Sequence, residues 1–288
     1  MTKNLRLVFP QWQGGNNPNY AFGSELLVHI APQSSNSETI HVTVNQAFDK
    51  ELPEENGVVG ETVLFQQMAE VAQILKIKNP DKIIIFGGDC SVSQVPFDFL
   101  HGKYGEKLGI LWLDAHPDIT TPKDNYPNVH AMVLGNLLKE GAPRFAEKVS
   151  HPFNTEQIMF AGLKVDNLWS YESSVINRLQ LRFATPQALF DNSQPIIDWL
   201  IAEKITKLAV HIDLDVLSPV DFRSIYPAEP YLESFAPAIG DLTLKQVVRI
   251  FNDIAEVAEV VGLTIAEHLP WDAINLRNAL SQISIFND

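Results

Sequence analysis

Short apolar runs rich in Val, Ile and Leu recur along the chain: LRLVF (5–9), KIIIF (82–86), LGILWL (108–113), QIMFA (157–161), KLAVHI (207–212) and VVGLTI (260–265). Their apolar positions are continuous. That suits strands covered on both faces, as in a parallel sheet. Between the runs the period lengthens. Residues 61–76 place Val63, Leu64, Met68, Val71, Ala72 and Leu75 at helical spacing. Residues 131–139, 195–204 and 243–258 also read as helices, the last with Asp241 or Thr243 as its cap. This alternation predicts right-handed crossovers and a single α/β domain over residues 1–288. Two stretches break the pattern. Residues 10–60 read as loop-rich, and 217–242 carry Pro219, Pro227, Pro230 and Pro237. A loop that long inside a compact domain is often functional.

The polar residues gather where apolar runs end. KIIIF leads into Gly87-Gly88-Asp89-Cys90-Ser91, and LGILWL into Asp114-Ala115-His116-Pro117-Asp118. KLAVHI leads into Asp213-Leu214-Asp215, and VVGLTI into Ala266-Glu267-His268. Sites in open α/β sheets form outside the carboxyl ends of the strands, and these four ends are candidates to converge there. Alternate strand residues share a face, so Asp213 and Asp215 project together. They read either as solvated acids or as a pair whose repulsion a bound cation relieves. Asp114, His116 and Asp118 form a second alternating set, of a type that suits a divalent transition ion. Two such sets at strand ends are a stronger signal than one. Cys90 reads as a small buried hydrophobe, as a thiolate ligand or as a nucleophile, the last without a general base nearby in the sequence. Alone, Glu267 and His130 say little. The remaining histidines, His211 among them, read as structural, and Trp12, Trp112, Trp169, Trp199 and Trp271 as packing.

Composition narrows the partners. Against 35 Asp and Glu stand 21 Lys and Arg, a net charge of −14 over 288 residues. That argues against nucleic acid and anionic membranes, and it is compatible with a cationic or neutral small molecule. A lone cysteine excludes a disulfide within the chain and fits a reducing compartment. The N-terminal apolar stretch is too short for a signal peptide or a membrane span, and a cytoplasmic location is expected.

In order, GGDCS (87–91), DAHPD (114–118), HIDLDVLSP (211–219) and GLTIAEHLP (262–270) resemble the motifs of the ureohydrolases: arginase, agmatinase, formimidoylglutamase and relatives. His130-Ala-Met and Gly240-Asp-Leu-Thr243 resemble two further family segments. The likeness spans roughly residues 80–280. It implies a three-layer α/β/α fold with a central parallel sheet of about eight strands, and a homo-oligomer. It also implies two divalent ions, manganese by family habit. One ion would take Cys90, Asp114, Asp118 and Asp213, the other Asp114, His116, Asp213 and Asp215. A shared hydroxide would attack the carbon of a guanidino, amidino or ureido group, cleaving a linear C–N bond. His130 would shuttle protons to the leaving amine, and Glu267 would hold the cationic group.

The departures are specific. Cys90 stands where the family has a histidine ligand, and its softer sulfur admits zinc or iron beside manganese, which stays the first choice. Ser218 replaces the third Asp of the Asp-x-Asp-x-x-Asp-Pro motif. The Gly-x-Arg-Asp-x-Asp segment has become Gly162-Leu-Lys-Val-Asp166, which leaves Asp166 as the substrate-binding acid beside Glu267. The favoured function is a metal-dependent hydrolase of a linear C–N bond. The alternative is a catalytically weak metal-binding or regulatory relative. A deacetylase of related architecture is disfavoured by Glu267 and the motif order.

Overall fold

Each of the six apolar runs forms a strand, and all six lie in one parallel sheet. The computed structural model describes residues 3–283 and Ile285. The strands are β1 (Asn4–Phe9), β2 (Ser37–His41), β3 (Glu54–Glu55), β4 (Val58–Val59), β5 (Lys82–Gly87), β6 (Leu108–Leu113), β7 (Ile158–Ala161), β8 (Arg182–Ala184), β9 (Lys207–Asp213) and β10 (Glu259–Ala266). Eight of them pair in the order β2-β1-β5-β10-β9-β6-β7-β8, all parallel, while β3 and β4 make a separate two-stranded ribbon. The helices are α1 (Asn19–Ile30), α2 (Glu61–Lys78), α3 (Gln94–Tyr104), α4 (Val133–Leu137), α5 (Pro143–Glu147), α6 (Ser170–Leu179), α7 (Gln194–Ala202), α8 (Leu244–Ala255) and α9 (Trp271–Leu280).

Alternation along β6 shows why the chain needs helices on both faces. Leu108, Ile110 and Trp112 pack with residues of α2, α3, α4 and α6. Leu111 and Leu113 pack with residues of α7 and α8. A strand apolar at every position must be covered twice, and the result is a three-layer α/β/α fold. Among the described residues no helix is long and apolar enough to cross a membrane.

Several local expectations need correction. The 10–60 stretch contains α1 and β2, so it is not only loop. β2 and β8 were not foreseen because they are edge strands, mostly exposed, and carry no continuous apolar run. The 131–139 helix starts at Val133, after a 3-10 turn over Val129–Met132. Thr243, not Asp241, caps α8. Its Oγ1 accepts from the Gln246 amide at 3.2 Å, while the Gln246 side chain returns a bond to the Thr243 amide at 2.8 Å.

Candidate metal centre

β5, β10, β9 and β6 are consecutive neighbours at the middle of the sheet, so the four polar strand ends meet. Each end is shaped by its own backbone. Asp213 closes β9, and its Oδ1 accepts the Asp215 amide at 2.7 Å, which starts the next turn and aims both acids one way. After β6, Asp114 accepts the His116 amide at 2.6 Å and the Trp112 indole N–H at 3.0 Å. After β5, a Cβ on Gly88 would lie 1.7 Å from the Gln11 carbonyl oxygen, so only glycine passes this crossing. Asp89 accepts the Gly14 and Ser91 amides at 2.9 and 3.0 Å and serves as a cap for the turn carrying Cys90. Asp118 and Glu267 adopt left-handed backbone at φ 50° and 61°. Such conformations in non-glycine residues concentrate at functional sites.

The side chains form overlapping clusters. One donor atom from each of Cys90, Asp114, His211 and Asp213 lies within 4.8 Å of the other three, and the same spacing unites Asp114, His116 and Asp215. Asp213, Asp215 and Glu267 make a third group, and Cys90, His130 and Glu267 a fourth. Asp118 belongs to none of these groups. It faces the same cavity, and its buried Oδ2 has no hydrogen-bond partner. Cys90 donates to Asp213 Oδ2 at 2.9 Å. His116 Nδ1 lies 3.0 Å from Asp215 Oδ2. Glu267 is held from two sides, with Tyr20 donating to Oε2 at 2.7 Å and His130 Nδ1 2.7 Å from Oε1. Tyr126 pairs with the other ring nitrogen of His130 at 2.8 Å.

Packing acids this closely makes their charges costly. Burial and then Asp215 push the Asp114 carboxyl up to about 7. Burial pushes Asp213 and Asp118 well above the usual carboxylate range too, with Asp215 and Asp114 respectively adding to it. Burial and the Asp213 charge do the same to the Cys90 thiol. Asp215 goes the other way. Burial opposes its charge, but His116 outweighs that and holds it low. The matching effect holds His116 well above an ordinary imidazole, against its burial. A set of carboxylates that resist ionisation together is what a cation would stabilise.

Above these residues opens a cavity of about 500 Å³. Its floor includes Cys90, His116, Asp118, Asp213, Asp215 and Glu267, with His130 at the side. The 217–242 loop contributes Tyr226, Glu229 and Phe235 to the wall. Asp166 is exposed and does not line the cavity. Its neighbours Asn167, Trp169 and Glu172 do. Trp169 is 43% exposed on the wall and so is not a packing residue as expected; Trp12, Trp112 and Trp199 are buried, and Trp271 is buried but also lines the cavity. Tyr20, Tyr126 and Glu172 also line the cavity, and the sequence carries no local mark for them. His211 did carry a mark, since it alternates with Asp213 and Asp215 on the same strand.

The comparisons agree with this architecture. A family model described as the arginase family matches residues 23–283. Arginase from Staphylococcus aureus (strain COL) is 25% identical over 157 residues, which are 50% of this chain and 49% of the relative, so the chain spans about half the length of that curated relative. The structure of Entamoeba histolytica arginase in complex with L-ornithine superposes with a TM-score of 0.77 at 16% identity, covering 94% of this chain and 92% of that one. Formimidoylglutamase from Bacillus subtilis superposes with a TM-score of 0.67 at 15% identity, covering 94% and 80%. The ordered strand-end motifs, the eight-stranded parallel sheet and a match over most of the sequence have one source: the chain belongs to the arginase family.

Proposed function

We propose that the protein hydrolyses a linear C–N bond of a small cationic guanidino or amidino compound, with two divalent ions held by Cys90, Asp114, His116, Asp118, Asp213 and Asp215. One observation carries the reading. Asp114, Asp118, Asp213, Asp215 and Glu267 converge at buried strand ends, and no Lys or Arg is among the residues lining the cavity above them. Buried carboxylates need paired charge. The residues fit cations. His116 Nε2, Asp118 Oδ2 and Asp215 Oδ1 are buried without hydrogen-bond partners, and the donors are the carboxylate, imidazole and thiol types that bind divalent transition ions. Bound there, such ions would acidify water and offset negative charge developing at the reacting carbon.

The chain's own groups do the rest. Glu267, fixed by Tyr20, receives the cationic end of the substrate through charge-assisted hydrogen bonds. Burial works against a charged His130, yet Tyr126 and Glu267 hold its ring well above ordinary imidazole. His130 is therefore an acid that returns a proton from Nδ1, the nitrogen facing Glu267, to the departing amine. The wall selects the remainder of the substrate. It offers the acids Glu172 and Glu229 and the aromatic rings of Tyr126, Trp169, Tyr226 and Phe235. Acids and π-faces attract cations, and with no Lys or Arg in the lining a substrate carboxylate meets no ammonium or guanidinium partner. A carboxylate-free guanidino compound fits best.

A second reading, a metal-binding relative without turnover, draws on Glu267, both of whose oxygens are already engaged. A panel of guanidino compounds, with and without a carboxylate, offered to manganese- and zinc-loaded protein separates the two. The expected result is urea or ammonia release from carboxylate-free members. Metal uptake with no product from any member decides for the second reading.

A further inference from the structure

We infer that His211 is a metal ligand: its Nε2 joins the Cys90 sulfur and the Asp114 and Asp213 carboxylates in a four-donor site just beneath the cavity floor. This rests on the metal reading above and changes which residues hold one of the ions, because the compact group contains His211 in the place that the family pattern gives to Asp118.

Position is the first argument. His211 precedes Asp213 by two residues on β9 and so shares its face. It pairs in register with Trp112 on β6 and Thr264 on β10, at the centre of the sheet. The ring is fully buried and stacks on the Trp112 indole at 3.7 Å with an interplanar angle of 10°, which fixes its plane.

The tautomer is the second. Ser93 Oγ donates its proton to Thr264 Oγ1 at 2.9 Å. Toward His211 Nδ1, 2.8 Å away, Ser93 has only a lone pair to offer, so the ring proton sits on Nδ1. Nε2 is then a bare lone pair, and it is buried with no hydrogen-bond partner. A ring nitrogen pinned by a hydrogen bond on the far side is the usual arrangement of a ligating histidine, and an unpaired buried acceptor is otherwise a cost.

Chemistry is the third. One sulfur, one imidazole nitrogen and two carboxylate oxygens make a donor set suited to four-coordinate zinc. Cys90, after β5, stands where the resembling pattern has a histidine, and His211 returns an imidazole from β9, on the far side of β10. Ion binding would displace the thiol proton that Cys90 now shares with Asp213 and release it to solvent.

The test uses the full chain and zinc. His211→Asn keeps an N–H near the Nδ1 position for Ser93 but has no atom at Nε2. Zinc content and zinc affinity, measured by competition with a chromophoric chelator, should show one of two ions lost or weakened by more than ~100-fold. Ser93→Ala, which only unpins the ring, should weaken it by about 10-fold. In cobalt-loaded protein the thiolate–cobalt absorption band should change in His211→Asn. Wild-type protein that binds zinc, with unchanged affinity and spectrum in His211→Asn, overturns the role of His211 and leaves the metal centre standing. Wild-type protein that takes up neither zinc nor manganese overturns both. Should His211→Asn fail to fold, long-range proton–nitrogen NMR of wild-type histidine rings decides. A shift of the His211 Nε2 signal on zinc addition supports the assignment, and an unmoved signal rejects it.

Discussion

The floor and the wall of the cavity are built by different means. The floor stands on the ends of four adjacent parallel strands, where ladder hydrogen bonds and flanking helices fix each backbone. Asp114 and Asp213 are almost fully buried there, and each is held by amide or indole donors. The wall comes mainly from loops and a 3-10 turn over Tyr226–Ala228, with Glu172 from the first turn of α6, and several of its side chains are partly open to solvent. Precision belongs to strands, which can place donor atoms within a few tenths of an ångström. Variety belongs to loops, which can change shape without disturbing the sheet. On the proposed function, the reaction chemistry would sit in the floor and substrate choice in the wall.

The comparison breaks most visibly at its centre. Asp213 joins the two halves of the floor, since it accepts the Cys90 thiol and also caps the turn bearing Asp215. Asp213→Ala should lose most bound metal and lower turnover by about 10³-fold or more. Elemental analysis beside a turnover assay checks this. Retention of two ions per chain would place the metal elsewhere.

Glu267 lies at the border between floor and wall, and its substitution sharpens the distinction. Glu267→Gln should keep the metal while lowering turnover of a cationic substrate by ~10²-fold to ~10³-fold, because a neutral amide cannot match a guanidinium charge. If metal departs with activity, Glu267 belongs with the ligands, as its closeness to Asp213 and Asp215 would allow.

The smallest effect is expected at the wall. Trp169→Ala removes one partly exposed aromatic face and should raise KM by up to about 10-fold for a cationic substrate, the scale of one cation–π contact. Metal content and kcat should stay close to wild type. A matching fall in kcat would mean that the wall takes part in the reacting geometry after all.

Strand identity was legible because a doubly covered strand is largely apolar, and β1, β5, β6, β7, β9 and β10 each carry an apolar run with only a few polar interruptions such as Arg6, His211 and Thr264. The spacing of Asp114, His116 and Asp118, and of Asp213 and Asp215, was legible as a pattern, but only Asp213 lies in a strand; the turns after β6 and β9, held by the His116 and Asp215 amides, aim the others. β2 and β8 were hidden because an edge strand can stay mostly exposed and polar.

Tertiary structure alone decided which of these residues meet. The strand order β5-β10-β9-β6 brings segments from four parts of the chain to one spot, and nothing local in any segment encodes that order. It also decided between like residues. His116 and His211 both follow the alternation, but only Ser93 and Thr264, from other segments, reveal which His211 nitrogen is bare. Asp166 and Glu172 are both acids near the same turn, yet only Glu172 reaches the cavity. A sequence records residue type and local period. Exposure, proton position and distance are properties of the packed neighbours, and those neighbours come from far along the chain.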